Sequence, residues 1–193
     1  SQTASNTGAY SDADGDAVSL TASIGTITSS GGTWDWAYTP ADGPAASKVT
    51  ITANDGNGGV TNASFNLTVN NIAPVVNAGP DATINEGSNF STSGSFIDPG
   101  ADTWTATVNY GDGSGNQPLS LSGKTFVLNH VYADNGIYTV TVMVTDKDGG
   151  VGSDIAAITV NNVAPANVSL TANPATINES NSSTIIGTFT DPG

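Results

Sequence analysis

One phrase occurs twice in this chain. TVNNIAP at positions 68–74 returns as TVNNVAP at 159–165, and DGNGGV at 55–60 returns as DKDGGV at 146–151, both 91 residues on. TINEG at 83–87 returns as TINES at 176–180, 93 residues on. Self-similarity at a fixed period marks tandem modules, and each module must then bury its own core within about 90 residues, near the lower end of the domain range.

The pattern inside one period is that of strands. Helix formers do not recur at helical spacing, whereas β-branched residues alternate with polar ones throughout. Positions 103–110 place Trp104, Ala106, Val108 and Tyr110 on one face, and 125–131 place Phe126, Leu128 and His130 on one face. Stretches 137–145 and 155–160 are rich in Val, Ile and Thr. With 74–86 (broken at Gly79-Pro80), 90–97 and a short 117–120, the second period predicts seven strands punctuated by Gly, Asp and Asn, the number and order of an immunoglobulin-like sandwich. The first period matches from the second strand onward. Gly8, Tyr10 and Asp12 align with Gly94, Phe96 and Asp98, and Trp34, Trp36 and Tyr38 with Phe126, Leu128 and His130. The fold class expected is all-β: tandem Ig-like β-sandwiches over 1–72 and 73–163, followed by a partial third repeat over 164–193.

The motifs carry a resemblance. YGDGSG at 110–115, HVYADNGIYTVTVMVTD at 130–146 and DGG at 148–150 make the second repeat resemble a PKD domain, with VNYGDG standing where that family usually has WDFGDG. SDADGDAVSL, GTWDWAYTPADG and NDGNGG make the first resemble the cadherin-like and Ig-like repeats of large bacterial surface proteins. The resemblance implies the sandwich fold. It leaves function open, because such modules serve as spacers, adhesins, enzyme appendages and filament subunits alike.

Charge narrows the partners. Seventeen acidic residues face three lysines (Lys48, Lys124, Lys147) and no arginine, a net charge of −14. Nucleic-acid and anionic-membrane partners are excluded, since both need Lys and Arg to neutralise phosphate. A cation fits instead. In an Ig-like sandwich the loops after the second and sixth strands share a pole. Those loops hold Asp98, Asp102, Asp146 and Asp148 in the second repeat, and Asp12, Asp14, Asp16 and Asp55 in the first. Oxygen-only ligands in Gly-rich turns suit Ca²⁺, although Asp, Asn and Gly are also plain turn formers. DADGD at 12–16 opens like an EF-hand loop, but the position eleven residues after Asp12 is Ser23 and no helix flanks it.

No catalytic constellation is legible. There is no cysteine, and the single histidine, His130, aligns with Tyr38. In GDGSG at 111–115, Asp112 stands where a nucleophile elbow would carry its first glycine. The aromatics read as core, because a sandwich of this size needs large side chains inside it. The other possibility for them is an exposed ladder stacking on sugars. Six N-x-S/T sequons occur, at Asn62, Asn66, Asn89, Asn167, Asn178 and Asn181, of which Asn178 and Asn181 are the most loop-like candidates for glycosylation. No apolar run is long enough to span a membrane.

The repeats are out of phase with the ends of the chain. The first has no counterpart of VVNAGPDATINEG at 75–87, which supplies the first strand of the second repeat; the counterpart is NVSLTANPATINES at 167–180. A long repeat protein cut at an arbitrary point leaves this phase. So does a segment, with Asn167, Ser169, Thr171, Ile177 and Asn178 as its assembly strand, that pairs with the open edge of another copy's first sandwich. The second explanation predicts a homo-oligomeric head-to-tail filament. The function expected is a non-enzymatic structural subunit of an extracellular fibre or surface stalk, with Ca²⁺ as cofactor; the alternatives are an adhesin or carbohydrate-binding module with a glycan partner, and an appendage of a secreted hydrolase.

Overall fold

A computed structural model describes residues 2–193, and they are all strand, turn and loop. By contact density the chain divides into two units. The first comprises the stretch up to Ala73 together with Asp98–Trp104 and Asp146–Gly150, and the second comprises Pro74–Ile97, Thr105–Thr145 and Val151–Gly193.

The first unit holds six strands: β1 (Ala4–Ala9), β2 (Ser19–Ala22), β3 (Thr26–Ser30), β4 (Thr33–Tyr38), β5 (Ala45–Asn54) and β6 (Val60–Val69). They form two three-stranded antiparallel sheets, ordered β1-β4-β3 and β2-β5-β6. Gly31 and Gly32, both at positive φ, close the two-residue turn between β3 and β4, where a Cβ would oppose the required left-handed backbone. Among the described residues, Trp36, Val49 and Ile51 are the buried apolar side chains here, with Trp34, Phe65 and Leu67 packed partly buried around them.

The second unit carries β7 (Val75–Asn77), β8 (Ala82–Asn85), β9 (Asn89–Ile97), β10 (Trp104–Asn109), β11 (Asn116–Leu119), β12 (Leu121–Ser122), β13 (Thr125–Val131), β14 (Gly136–Asp146) and β15 (Val151–Asn161). Its sheets are ordered β12-β13-β9-β7 and β11-β10-β14-β15-β8. The break expected at Gly79-Pro80 is real and switches the first strand between sheets: β7 pairs antiparallel with β9, and β8 runs parallel to β15. Gly79 permits the switch at φ +94, and a Cβ on it would stand 2.9 Å from Ser93 O. Between β10 and β13 two short strands form instead of the one expected, β11 on one sheet and β12 on the other. β15 is longer than 155–160 because Val151 to Asp154 continue the ladder with β14, although Gly152 and Asp154 interrupt the apolar alternation.

Beyond residue 163, β16 (Ala166–Asn173) and β17 (Thr184–Thr190) pair, among the described residues, only with each other, and both are exposed along their whole length.

Candidate functional site

The second sandwich shows what a complete rim needs. Ile158, Val160 and Ala78 are buried there, with β8 lying along β15 in the register Ile158↔Ala82, Thr159↔Thr83, Val160↔Ile84 and Asn161↔Asn85. Glu86 follows β8, is 3% exposed, and accepts the Val163 N–H on Oε1 at 2.7 Å.

The first sandwich is open at the same rim. Among the described residues, β1 pairs only with β4 and β6 only with β5, so each presents one bare edge. Two clefts lie between the sheets there. One, of about 490 Å³, is lined at Ala4, Leu67, Val69 and Ile72; the other, of about 280 Å³, at Ala9, Trp34, Ile51 and Ala63. Leu67 and Val69 are only partly buried, whereas their repeat counterparts Ile158 and Val160 are covered. The cause is the strand that lies over the second pair.

The C-terminal segment supplies a two-stranded ribbon and, between its strands, a loop of strand-like sequence. Asn167, Ser169 and Thr171 lie in β16, with Asn167 at φ +53 beside an irregularity in the ladder. Ile177 and Asn178 fall in the loop between β16 and β17, outside the ladder that β17 makes with 166–173. Val168, Leu170, Ile185 and Phe189 are each 66% exposed or more, an uncovered apolar surface. Asn178 and Asn181 are exposed in the same loop, accessible positions for a sequon.

The acidic loops divide by what their carboxylates already hold. Asp12 Oδ1 accepts the N–H groups of Asp14, Gly15 and Asp16, and Asp16 accepts Asn57 Nδ2 at 2.6 Å. The neighbouring Asp14 carboxyl and the turn N–H groups hold the pKa of Asp12 down, and the Asp12 carboxyl raises that of Asp14. Asp55 caps its own turn through Asn57 N and Gly59 N. Asp98 is engaged by Trp104 Nε1 at 2.7 Å. Asp146 is engaged by Asn71 Nδ2 at 2.8 Å and by the N–H groups of Asp148 and Gly150; Asn71 above all holds its pKa down.

Asp102 and Asp148 come together, with a third residue that sequence reasoning missed. Within the first unit the Lys147 ammonium donates to Asp42 Oδ2, to Asp102 Oδ1 at 3.0 Å and to Asp148 Oδ2 at 2.9 Å. This contact lowers the pKa of Asp42 and raises that of Lys147. For Asp102 the lysine pulls the pKa down, but burial and the Asp42 charge outweigh it and the net shift is upward. Asp42 was legible only as the turn former of ADG at 41–43, since nothing local says which loop that turn faces.

The YGDG turn organises the second sandwich. Asp112 accepts Ser114 N and Oγ on one oxygen and meets His130 Nε2 at 2.8 Å on the other; the serine bonds first, then the histidine, hold its pKa at about 2. The imidazole lies flat on Tyr110 with centroids 4.1 Å apart, and Tyr132 meets its edge. Tyr132 is buried, and that burial pushes its hydroxyl up to about 12. Tyr138 OH reaches back to Asp134 O at 2.9 Å, a tyrosine corner that DNGIY at 134–138 does not announce by spacing alone.

Residues 71–160 match the family model of the PKD domain. Residues 1–68 match that of the bacterial Ig domain. The PKD domain of an M14-like peptidase from Thermoplasmatales archaeon SCGC AB-540-F20 is similar in fold, with 23% identity over 46% of this chain and 92% of that one and a TM-score of 0.34. The titin domains Z1Z2, solved in complex with telethonin, are 16% identical over 82% of this chain and 88% of theirs, with a TM-score of 0.48. The fibronectin(III)-like modules of Clostridium thermocellum CbhA are 14% identical over 66% and 68%, with a TM-score of 0.38. No curated protein matches the chain in sequence.

PKD and bacterial Ig domains are typical of extracellular proteins and typically non-catalytic, in structural or adhesion roles. In the second sandwich His130 both stacks on Tyr110 and bonds the Asp112 carboxylate. In the bacterial Ig domain Trp36 is 1% exposed, donates its Nε1–H to Ile24 O and meets Phe65 edge-on at 5.0 Å. It is core, not a platform for sugar. Among the described residues, no helix is long and apolar enough to cross a membrane.

Proposed function

We propose that this chain is a structural subunit of an extracellular fibre or surface stalk, and that the C-terminal segment of one copy completes the bacterial Ig domain of the next. One observation carries the reading. In the PKD domain TINE at 83–86 forms β8 and its terminal Glu86 against β15, whereas TINE at 176–179 is an exposed loop and the counterpart of β15, β6, has a bare edge. Transferring the register by repeat position sets Ala175 beside Leu67, Thr176 beside Thr68, Ile177 beside Val69 and Asn178 beside Asn70. Glu179 then reaches the Ile72 N–H, as Glu86 reaches that of Val163.

The energetics favour pairing. An added strand satisfies the ladder groups of a bare edge and fills pockets with alternate side chains. Covering Ile177 alone contributes about 1.5–3 kcal/mol if burial is complete. Donor and acceptor lie in different parts of the chain, so the contact is heterologous and propagates as an open filament. An appendage of a secreted hydrolase would share the fold but needs no contact between copies. The sugar-binding alternative loses its aromatic platform with the burial of Trp36.

Sedimentation velocity and negative-stain imaging of the full chain test the proposal. Concentration-dependent assembly, abolished by deleting residues 164–193 and by Ile177→Asp, supports it. A monomer at every concentration overturns it, as does assembly that survives the deletion.

A further inference from the structure

We propose that Asp42, Asp102 and Asp148 bind a hard divalent cation of the calcium class, seated beside the Lys147 ammonium rather than in its place. Lys147 engages one oxygen each of Asp42 and Asp102. The remaining oxygens, Asp42 Oδ1 and Asp102 Oδ2, are buried and have no hydrogen-bond partner. The Asp102 side chain is fully buried, at 0% exposure. Both free oxygens face Gly100: a Cβ there would overlap Asp102 Oδ2 and stand 3.0 Å from Asp42 Oδ1. An ionised carboxylate withdrawn from water with half its acceptor capacity unused is costly unless a counter-charge reaches it.

The charge count points to a dication. Three carboxylates against one ammonium leave −3 + 1 = −2. The donors are all oxygen, which selects a hard ion over zinc or copper. Oxygens from Asp42, Asp102 and Asp148 lie within 4.8 Å of one another. Calcium accepts irregular sets of oxygen ligands, whereas magnesium demands a near-ideal octahedron and keeps several of its waters, so a carboxylate set crowded by a lysine suits calcium better. The cluster Asp12, Asp14 and Asp16 is different, because its carboxylates are spent on their own turn and exposed to water.

Isothermal titration calorimetry on the chelator-treated full chain tests the site, with CaCl2 and MgCl2 as probes and thermal unfolding in parallel. The expected result is saturable calcium binding and a rise in Tm, with magnesium weaker. Asp102→Asn and Asp42→Asn each weaken calcium at least tenfold, while Asp12→Asn leaves it unchanged. Asp42 is partly exposed, so its variant tests the site even if Asp102→Asn misfolds. Lys147→Met tightens binding at least tenfold by removing the neighbouring positive charge. The proposal is overturned by no calcium response in the native chain, by wild-type affinity in the Asp42 variant, by equal or tighter magnesium binding, or by loss of binding in Asp12→Asn.

Discussion

Ile84 sits opposite Val160 in the parallel pair of β8 with β15. Their repeat counterparts, Ile177 and Val69, lie respectively in an exposed loop and on a bare edge. The same side chains thus occupy a closed rim in one sandwich and an open one in the other. Among the described residues, three apolar side chains are buried in the first sandwich against fifteen in the second.

A synthetic peptide of residues 166–180 added to the chain lacking residues 164–193 should raise the Tm of the first sandwich and leave the second unchanged. Differential scanning calorimetry resolves the two transitions, since a two-domain chain need not unfold in one step. Mixing with no shift at millimolar peptide would count against pairing at β6.

Leu128→Ala should cost about 2–5 kcal/mol, because Leu128 is fully buried and the cavity cannot collapse easily between two sheets. Leu67→Ala should cost less, at the partly exposed rim. Urea unfolding followed by the two transitions checks the order, and equal losses would contradict the difference in packing.

Stability of the PKD domain should fall with acid through Asp112. Its folded pKa is depressed to about 2 from 3.8, so its contribution is fully present above pH 3.8 and disappears as pH falls through about 2. Asp112→Asn should flatten the dependence in that window. An unchanged slope in a pH series of urea midpoints would remove Asp112 as the cause.

Tyr138→Phe should cost about 0.5–1.5 kcal/mol, the usual net worth of one hydrogen bond, since the ring stacked on Tyr132 remains. Chemical denaturation measures it. A loss beyond about 3 kcal/mol would mean the hydroxyl holds more of the loop than the Asp134 carbonyl.

Much of the fold could be read from the chain because sheet periodicity is local. Trp104 to Tyr110 and Thr125 to Val131 alternate with period two, and the strands they predict formed with bounds shifted by a residue at most. The break at Gly79-Pro80 was legible for the same reason, since Pro lacks a donor and Gly tolerates positive φ. The acidic loops were legible only as chemistry. Asp98 and Asp146 looked equivalent to Asp102 as ligands, yet Trp104 and Asn71 occupy them, and neither partner is marked by spacing.

Tandem sandwiches and their strand order were determined by sequence alone, because repeat spacing and alternation are properties of neighbours along the chain. Tertiary structure alone decided which carboxylates meet Lys147 and that the open rim has cavities beneath it. Those outcomes depend on distances between residues far apart in sequence, and only the packed sheets set such distances.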